Sequence, residues 1–464
     1  MYINREPLGR GNLTFGKRKR RRPVILIVLY VMILGAALFV LWQMDRIQPR
    51  VLAALGPEPT ATPSPQQIIE QAEARYMAGE PGEASALYDQ AIAMDPEDYT
   101  LWARQSFLLT LDGQYEEALA AADKAIALAP ESPVGYAMRA RALNWNGDYD
   151  ESAIAALRAI DLSPDYALAH AFLAESYTDL GRLRQAREQA EMAVQLDPYE
   201  VDARRNYAYV LEFYGDYAGA IQQYLQALRL HPNRLDLWYG LARNYRGVGQ
   251  VEQAVNTFTQ IALRTPEDPL PWVEIGRTYF EVRDDDAAQE YLEQAVSIVC
   301  SDCPRNTYDQ IINGEFDESR VPDEIYVPAW RRLGQVYLTR RNYEAAVEIY
   351  EELIAWAKNH DQPVPIEAYY VSSAAYYYMD NCDIAVPYSV TALGIYESQQ
   401  INDPNALNNI LSVFVLCRDY AISPYLHTGR GFENGFPVAY EEPEVIVRRP
   451  GAQPTDEADT GNDG

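Results

Sequence analysis

Four cysteines are the residues of this 464-residue chain whose chemistry depends most directly on spacing. Cys300 and Cys303 form a Cys-x-x-Cys motif, and Cys382 and Cys417 lie 35 positions apart. A redox-active Cys-x-x-Cys needs a βαβ context, and the sequence around Cys300 predicts none. A zinc site needs a second close cysteine pair or a nearby histidine, and both are missing. The spacing favours the disulfides Cys300–Cys303 and Cys382–Cys417, while the other two connectivities and free thiols stay open.

The remaining candidates for chemistry are histidines and a pair of glycines. The chain has no His-Glu-x-x-His or Gly-x-Ser-x-Gly motif, and no serine or cysteine has a suggestively placed histidine. Gly247 and Gly249, in "LARNYRGVGQVEQAVNTF", lack the preceding strand, third glycine or Gly-Lys-Ser/Thr ending of a phosphate-binding loop. We therefore expect no catalytic, cofactor-binding or metal-binding residues. The four histidines are scattered at His170, His231, His360 and His427.

Gly249 belongs to a repeat of 34 residues. The same interval separates six prolines, and a glycine precedes each proline by 17 positions. A helix-ending glycine followed by a helix-closing proline at a fixed interval is the pattern of stacked helical hairpins. The glycines therefore turn the chain between two helices. The prolines are Pro96, Pro130, Pro164, Pro198, Pro232 and Pro266, and the glycines are Gly79, Gly113, Gly147, Gly181, Gly215 and Gly249.

Each repeat also carries a characteristic set of aromatic and small residues. The copy at the glycine pair reads Trp238-x2-Leu241-Ala242-x2-Tyr245, then Ala254-x3-Phe258, then Pro266. This pattern resembles the tetratricopeptide repeat, whose consensus is W-x2-L-G-x2-Y…A-x3-F…P. The resemblance implies an all-α, right-handed α-solenoid of about nine helix-turn-helix repeats, with a concave groove lined by the first helix of each pair. It also implies a non-catalytic scaffold that holds a protein or peptide partner in that groove.

The resemblance extends over most of the chain. It places repeats one to seven at residues 65–299, a cysteine-containing insertion at 300–326, and repeats eight and nine with a capping helix at 327–420. A capping helix is expected because a terminal repeat must cover its open apolar face. The remaining residues, 421–464, form an acidic tail that we expect to be mostly disordered, since its end is polar and lacks aromatic residues.

The N-terminus predicts a membrane anchor. Residues 1–23 are strongly basic, with eight Lys/Arg against one Glu in the first 22 positions. They lead into 24–42, a run of 19 apolar residues that would span roughly 28 Å as a helix. Basic residues stay in the cytoplasm, so the repeats are expected outside it, after a Pro/Thr-rich linker at 43–64. The sequence thus predicts a single-pass membrane protein with an extracytoplasmic solenoid.

Composition narrows the classes of partner. The net charge of −28 argues against nucleic-acid binding. We expect a scaffold for a protein partner, acting in cell-envelope assembly. A glycan-binding or structural cell-surface module is the alternative, because the 35 tyrosines include the cluster "AYYVSSAAYYYM" at 368–379, which could stack on sugar rings.

Groove-lining positions follow from the resemblance. In this family they lie on each first helix at spacings of four and then three residues. Applied to repeats five to eight, the rule also selects Glu212, Val273, Gln335 and Leu338. The arginines of the set suit a partner with an extended acidic segment, and the chain's own "YEEPE" at 440–444 is a candidate occupant. Pairing of the arginines with carboxylates of the chain is the alternative. The predicted partner-binding residues are Arg205, Tyr209, Tyr239, Arg243, Arg246, Arg277, Phe280 and Arg331.

The predicted topology can be tested by proteolysis. Protease added outside intact cells or spheroplasts should digest the repeats and leave the N-terminal segment protected, because the basic residues retain the N-terminus in the cytoplasm. Antibodies against each end would follow the fragments. Digestion of residues 1–23 in intact cells would reverse the orientation.

Overall fold

The computed structural model describes residues 28–36, 64–301 and 305–417, together with two short strands at 432–433 and 436–437. The chain divides into two units, Met1–Gln67 and Ile68–Gly464. In the first unit, residues 28–36 are helical, and the rest of the predicted membrane segment 24–42 lies outside the described residues. None of the helices in the described ranges has both the length and the apolar character that crossing a bilayer requires.

The second unit is a series of α-helices that confirms the predicted all-α solenoid; the handedness of its superhelix stays a prediction. The helices are α1 Pro65–Ala78, α2 Pro81–Met94, α3 Tyr99–Leu111, α4 Tyr115–Leu128, α5 Pro133–Asn146, α6 Tyr149–Leu162, α7 Ala167–Asp179, α8 Leu183–Leu196, α9 Val201–Phe213, α10 Tyr217–Leu230, α11 Leu235–Gly247, α12 Val251–Ala262, α13 Leu270–Glu281, α14 Asp285–Val299, α15 Tyr308–Ile312, α16 Val327–Thr339, α17 Tyr343–Asn359, α18 Ile366–Tyr378, α19 Cys382–Ser398 and α20 Pro404–Leu416.

These helices form antiparallel pairs in chain order. Pairs one to seven are α1–α2 through α13–α14, pair eight is α16–α17, pair nine is α18–α19, and α20 follows the last pair. Helix α15 and a 3₁₀ helix at Glu318–Arg320 lie in the insertion. The two short strands, β1 Phe432–Glu433 and β2 Phe436–Pro437, pair antiparallel with each other.

Left-handed residues end the first helix of each pair. Gly147, for example, has φ 95° and follows α5, where a side chain would strain the backbone. In pairs seven and eight the same place is taken by Arg283 and Arg341, with φ 66° and 61°. A non-glycine residue is costly in this conformation. The packing of the repeats therefore fixes the turn even where the residue does not favour it.

Small residues let the two helices of a pair approach each other. Ala242 on α11 and Ala254 on α12 are fully buried, and Phe258 fills the space beside them. In pair eight the equivalent of Ala242 is Gly334, which faces the ring of Tyr350 on α17. These columns of small residues explain why the repeat length is kept along the series.

The insertion is attached to pair eight by polar contacts. The backbone N–H of Tyr308 donates to Glu348 at 2.7 Å, and Arg305 lies 3.6 Å from Glu352. The carboxylate of Glu352 also accepts from the indole N–H of Trp330, at 2.9 Å. Residues that interrupt the repeat thus lie against the outer helix α17.

One predicted disulfide joins pair nine to the last helix. Cys382, at the start of α19, is bonded to Cys417, which follows α20, with a Cα–Cα distance of 5.7 Å. Cys300 is also disulfide-bonded, but Cys303 lies outside the described residues, so its pairing with Cys300 stays a prediction. Most of the predicted tail 421–464 lies outside them as well.

Gly334→Ala tests the close contact in pair eight. The added methyl group would overlap the ring of Tyr350, so the substitution should destabilise the protein by about 1–3 kcal/mol. Amide exchange should rise in pairs eight and nine and stay unchanged in pairs one to four, because each repeat is coupled to its neighbours. A Gly334→Ala/Tyr350→Leu double variant should recover part of the loss, and exchange that rose evenly along the chain would contradict the assignment.

Candidate functional site

All eight predicted partner-binding residues lie on first helices of their pairs. Arg205 and Tyr209 lie on α9, Arg277 and Phe280 on α13, and Arg331 on α16. We call the surface formed by the first helices the inner face. The remaining three residues, Tyr239, Arg243 and Arg246, lie on α11.

The arginines of this set already have carboxylate partners within the protein. Most of the partners come from a neighbouring pair, so the ion pairs run along the inner face from repeat to repeat. Arg277 is the exception, because it pairs with Glu281 on its own helix at 2.9 Å. The other pairs are Arg205 with Glu175 and Asp236, Arg243 with Glu212, Arg246 with Glu274, and Arg331 with Glu367.

The two predicted tyrosines are bound in the same way. The hydroxyl of Tyr209 donates to Asp179 at 2.6 Å, and that of Tyr239 donates to Asp268 at 3.3 Å. Burial, reinforced by these acidic neighbours, raises the pKa of both phenols. The predicted residues therefore connect successive repeats, and their polar groups are largely occupied by the protein itself.

A cluster that the sequence analysis did not select lies deeper on the inner face. Asp202 accepts from Arg141 at 2.5 Å and from two nitrogens of Arg234, each at 3.0 Å. All three side chains are buried. Burial alone would raise the pKa of the Asp202 carboxyl, but Arg141 and Arg234 outweigh it and hold that pKa well below its usual range. Arg234 also binds Asp236 at 2.6 Å.

Aromatic rings complete the surroundings of Arg141. Its guanidinium carbon lies 4.4 Å from the ring centre of Phe107, 5.0 Å from that of Trp145 and 5.4 Å from that of Phe172. Rings at this distance stabilise a cation that has few other partners. They explain how two of its buried nitrogens, Nε and Nη2, are accommodated without a hydrogen bond.

Pair one closes against the loop between pairs five and six. The rings of Tyr76 and His231 are 4.4 Å apart, and the side-chain amide of Asn233 donates to the carbonyl of Met77 at 2.9 Å. A side chain at Gly79 would meet the carbonyl oxygen of Asn233 at 2.6 Å. Over pairs one to six the inner face is therefore bridged by the protein's own residues, which leave a cavity of about 80 Å³ beside Tyr76, Trp145 and Arg234.

A sequence signal for this cluster existed. Residues one repeat apart share a position on the inner face, and Arg243 has Arg141 and Glu175 as equivalents at multiples of 34 positions. The groove rule, applied to repeats three and four, would have selected both. It would not have shown that Arg141 reaches Asp202, because 61 residues separate them.

The inner face is open in the C-terminal part of the series. A cavity of about 320 Å³ lies between α13, α16, α18 and α20. Phe280 is the one residue of the predicted set that lines it, with the groove-rule positions Gln335 and Leu338. Its further lining residues are Thr339, Tyr370, Val371, Ala374, Tyr377, Tyr378, Asn409, Ser412, Val413 and Leu416.

Arg332 contacts two of the residues that line this cavity. Its guanidinium carbon is 5.7 Å from the ring centre of Phe280, and it donates to Gln335 at 3.0 Å. Burial, together with the charges of Arg277 and Arg331, lowers its pKa. No carboxylate of the described residues lies within ion-pair distance of Arg332, although the charge of Glu281 acts on it from farther away.

The histidines and the open cavity were the places to look for catalytic groups. In the described ranges, no group of His, Cys, Asp and Glu side chains could hold a metal ion. His170 hydrogen-bonds to Gln189 and to the carbonyl of Pro164, as a packing residue would. The cavity between α13 and α20 is lined by apolar, aromatic and neutral polar residues. It is suited to binding.

Three family models described as tetratricopeptide repeat match the chain. One matches residues 69–133, 112–167, 137–201 and 173–234, a second matches 214–273, and a third matches 271–298 and 327–360. Together these matches cover more than half of the 464 residues. No curated protein matches this chain.

Solved structures are similar at low sequence identity. The APC/C hetero-tetramer Cut9–Hcn1 has 17% identity and a TM-score of 0.49, over 71% of this chain and 59% of that chain. This chain thus spans less than two thirds of its length. A thermophilic TPR protein of Thermus thermophilus has 21% identity and a TM-score of 0.34, over 39% of this chain and 98% of that one. A tetratricopeptide repeat protein of Parabacteroides merdae has 16% identity and a TM-score of 0.33, over 50% of this chain and 91% of that chain.

Asp202→Asn tests the buried ion-pair cluster. It leaves Arg141 and Arg234 without their shared charge, so the free energy of unfolding should fall by about 3–5 kcal/mol in denaturant titrations at pH 7. The pKa of Asp236 is also lowered, to about 2. A carboxylate with a lowered pKa stabilises the fold above its unfolded pKa and loses that contribution as the pH falls through the folded pKa. Wild-type stability should therefore fall between about pH 4 and pH 2, and less steeply in Asp202→Asn.

Glu191→Gln is the matched control for this substitution. It removes an exposed pair with Arg187 on the same helix and should change the free energy of unfolding by less than about 0.5 kcal/mol. Equal effects of the two substitutions would show that the buried cluster does not stabilise the closed inner face.

Proposed function

Because the chain belongs to the tetratricopeptide repeat family, we propose that it is a non-catalytic scaffold that binds a segment of a partner protein on the inner face of pairs seven to nine. The observation that carries this proposal is the cavity between α13, α16, α18 and α20. Over pairs one to six, the corresponding surface is occupied by Arg141, Asp202 and Arg234 and is bridged by Tyr76 and His231. The cavity over the C-terminal pairs, about 320 Å³, therefore offers more room for a partner than the cavity of about 80 Å³ beside Tyr76 and Arg234.

The lining of the cavity favours an apolar or aromatic anchor in the partner. Phe280, Leu338 and Tyr377 are half-buried, and Tyr378 and Leu416 expose more than half of their surface. When a partner covers apolar surface of this kind, the burial stabilises the complex by about 25 cal/mol per Å². A bulky apolar side chain of the partner fits these requirements.

An acidic group next to that anchor would match Arg332. The five arginines predicted from the sequence have carboxylate partners, whereas Arg332 has none within ion-pair distance in the described residues. A carboxylate that reached Arg332 would form a charge-assisted hydrogen bond beside the ring of Phe280. The acidic partner segment thus remains part of the proposal, with Arg332 as its main contact.

The proposal includes an anchor in a membrane and a role in cell-envelope assembly. The basic residues 1–23 and the apolar run 24–42 support the anchor. In the described part of this run, the side chains from Val28 to Leu34 expose more than half of their surface, which is unfavourable in water. The disulfide between Cys382 and Cys417 suits the oxidising environment outside the cytoplasm.

Carbohydrate binding is a second candidate for the same cavity. Three tyrosines line it, Tyr370, Tyr377 and Tyr378, and neutral polar groups lie among them. Tyrosine rings stack on sugars, and amide and hydroxyl groups bind their hydroxyls. Tyr369 and Tyr376, from the same sequence cluster, are buried and belong to the helix packing.

A substitution that fills the cavity tests whether the cavity binds a ligand or has only a structural role. Peptides that bind the full-length chain can be selected from a displayed library and measured by titration. We expect an aromatic or aliphatic anchor followed by Asp or Glu. Ala374→Trp should weaken their binding at least about tenfold, which is a loss of about 1.4 kcal/mol, because the indole occupies the space of the anchor.

The control is Ala127→Trp, on the exposed face of α4, which should leave the affinity unchanged. Circular dichroism would verify that both variants fold. Retention of a polysaccharide, lost in Ala374→Trp, would favour the second candidate. Peptides whose affinity is the same in wild type and Ala374→Trp would show that the cavity is not the binding site.

A further inference from the structure

The open cavity adjoins the place where the chain continues beyond its last helix. Leu416, the final residue of α20, lines the cavity, and Cys417 is held to Cys382 by the disulfide. Residues 418–464 therefore start at the rim of the cavity. The disulfide fixes this starting point relative to α19, whatever partner is present.

This segment contains a small hairpin. Strands β1 and β2 pair with Glu433 opposite Phe436, on either side of Asn434 and Gly435. Asn-Gly is a favoured turn for a two-residue hairpin loop. An isolated two-stranded hairpin is at best marginally stable in water and needs a surface to pack against. A hairpin of this kind and an open cavity in the same chain are therefore candidates for each other.

The residues around the hairpin match the chemistry of the cavity. The sequence from 432 to 444 is "FENGFPVAYEEPE", so aromatic residues precede a run of glutamates. An aromatic side chain such as Phe436 or Tyr440 suits a cavity lined by Phe280 and tyrosines. The glutamates that follow Tyr440 would supply the carboxylate that Arg332 lacks.

We propose that residues 432–444 of this chain occupy the cavity of the same molecule, with an aromatic side chain inside it and the following glutamates at Arg332. This proposal rests on the proposed function, because a partner segment of the same chemistry must then displace the chain's own. The 14 residues from 418 to 431 can span up to about 50 Å, and Leu416, just before them, itself lines the cavity. A short tether of this kind gives an effective concentration in the millimolar range, so a weak contact suffices to fill the cavity.

Photo-crosslinking in the full-length chain tests this directly. Phe436 and Tyr440 are replaced, one at a time, by p-benzoylphenylalanine, and the products of irradiation are identified by mass spectrometry. We expect cross-links within one chain to peptides that contain Tyr370, Tyr377 or Leu416. The same probe at Ala452, in the acidic end of the chain, is the control and should give no such preference.

Two sets of variants determine whether the contact is specific. Ala374→Trp should abolish the cross-links to the cavity, and Ala127→Trp should leave them unchanged. Arg332→Glu should lower their yield by roughly twofold to fivefold, the factor expected for a partly exposed ion pair. Combining Arg332→Glu with Glu441→Lys, Glu442→Lys and Glu444→Lys should restore the yield, because the charges are then reversed.

Other outcomes would overturn the proposal. Cross-links that join two chains and increase with protein concentration would mean that a second copy supplies the segment. Cross-links spread evenly over the surface, or equal in wild type and Ala374→Trp, would mean that residues 432–444 do not use the cavity. None of these outcomes changes the result of the titration with selected peptides. That titration therefore tests the scaffold function separately from the contact made by residues 432–444.

Discussion

Asp202 is a buried carboxylate held between the guanidinium groups of Arg141 and Arg234, and the arrangement of the first six pairs depends on it. A buried charge of this kind is tolerated only when its partners are in place, because each ion has lost its water. The three residues come from α5, from α9 and from the loop before α11. Their pairing therefore fixes how pairs three, five and six approach each other. Arg234 lies in the same loop as His231 and Asn233, which contact pair one.

The inner face of the solenoid differs between its two ends. Over pairs one to six, charges on the first helices are neutralised by carboxylates of neighbouring repeats, and aromatic rings fill the spaces around Arg141. Over pairs seven to nine, the facing side chains are mostly apolar, and they leave a cavity. The first part suits a rigid support and the second a binding surface. A partner would thus meet a preformed site, which lowers the ordering cost of binding.

The same repeat position serves different purposes along the series. The equivalents of Arg243 include Phe107, Arg141, Glu175 and Tyr209, each one or more repeats away. Phe107 and Arg141 stack on each other, Glu175 binds Arg205, and Tyr209 binds Asp179. The repeated backbone thus provides equivalent positions, and the residues placed there determine whether two repeats attract each other or leave space. This is how one architecture holds both a closed and an open surface.

The sequence by itself determined the repeat and its helices. The 34-residue columns of small, aromatic and turn residues report contacts between helices that are close in the chain, so α1 to α14 follow from them, including the turn at Arg283. The spacing of Cys382 and Cys417, near one repeat, likewise matched the disulfide. The groove rule selected Phe280, Gln335 and Leu338, which line the cavity. The prediction nevertheless assigned partner binding mainly to the arginines.

Only the tertiary structure decided which charges meet and where the inner face is open. Arg141 reaches Asp202 across 61 positions, and Asn233 reaches Met77 across 156. Such contacts depend on the curvature that accumulates over several repeats, which no single repeat encodes. A small change per repeat moves one helix far from another, so the pairing of the arginines and the position of the cavity emerge only when all pairs are stacked. For that reason the sequence predicted which helix faces line the groove, and only the structure shows where they leave a cavity.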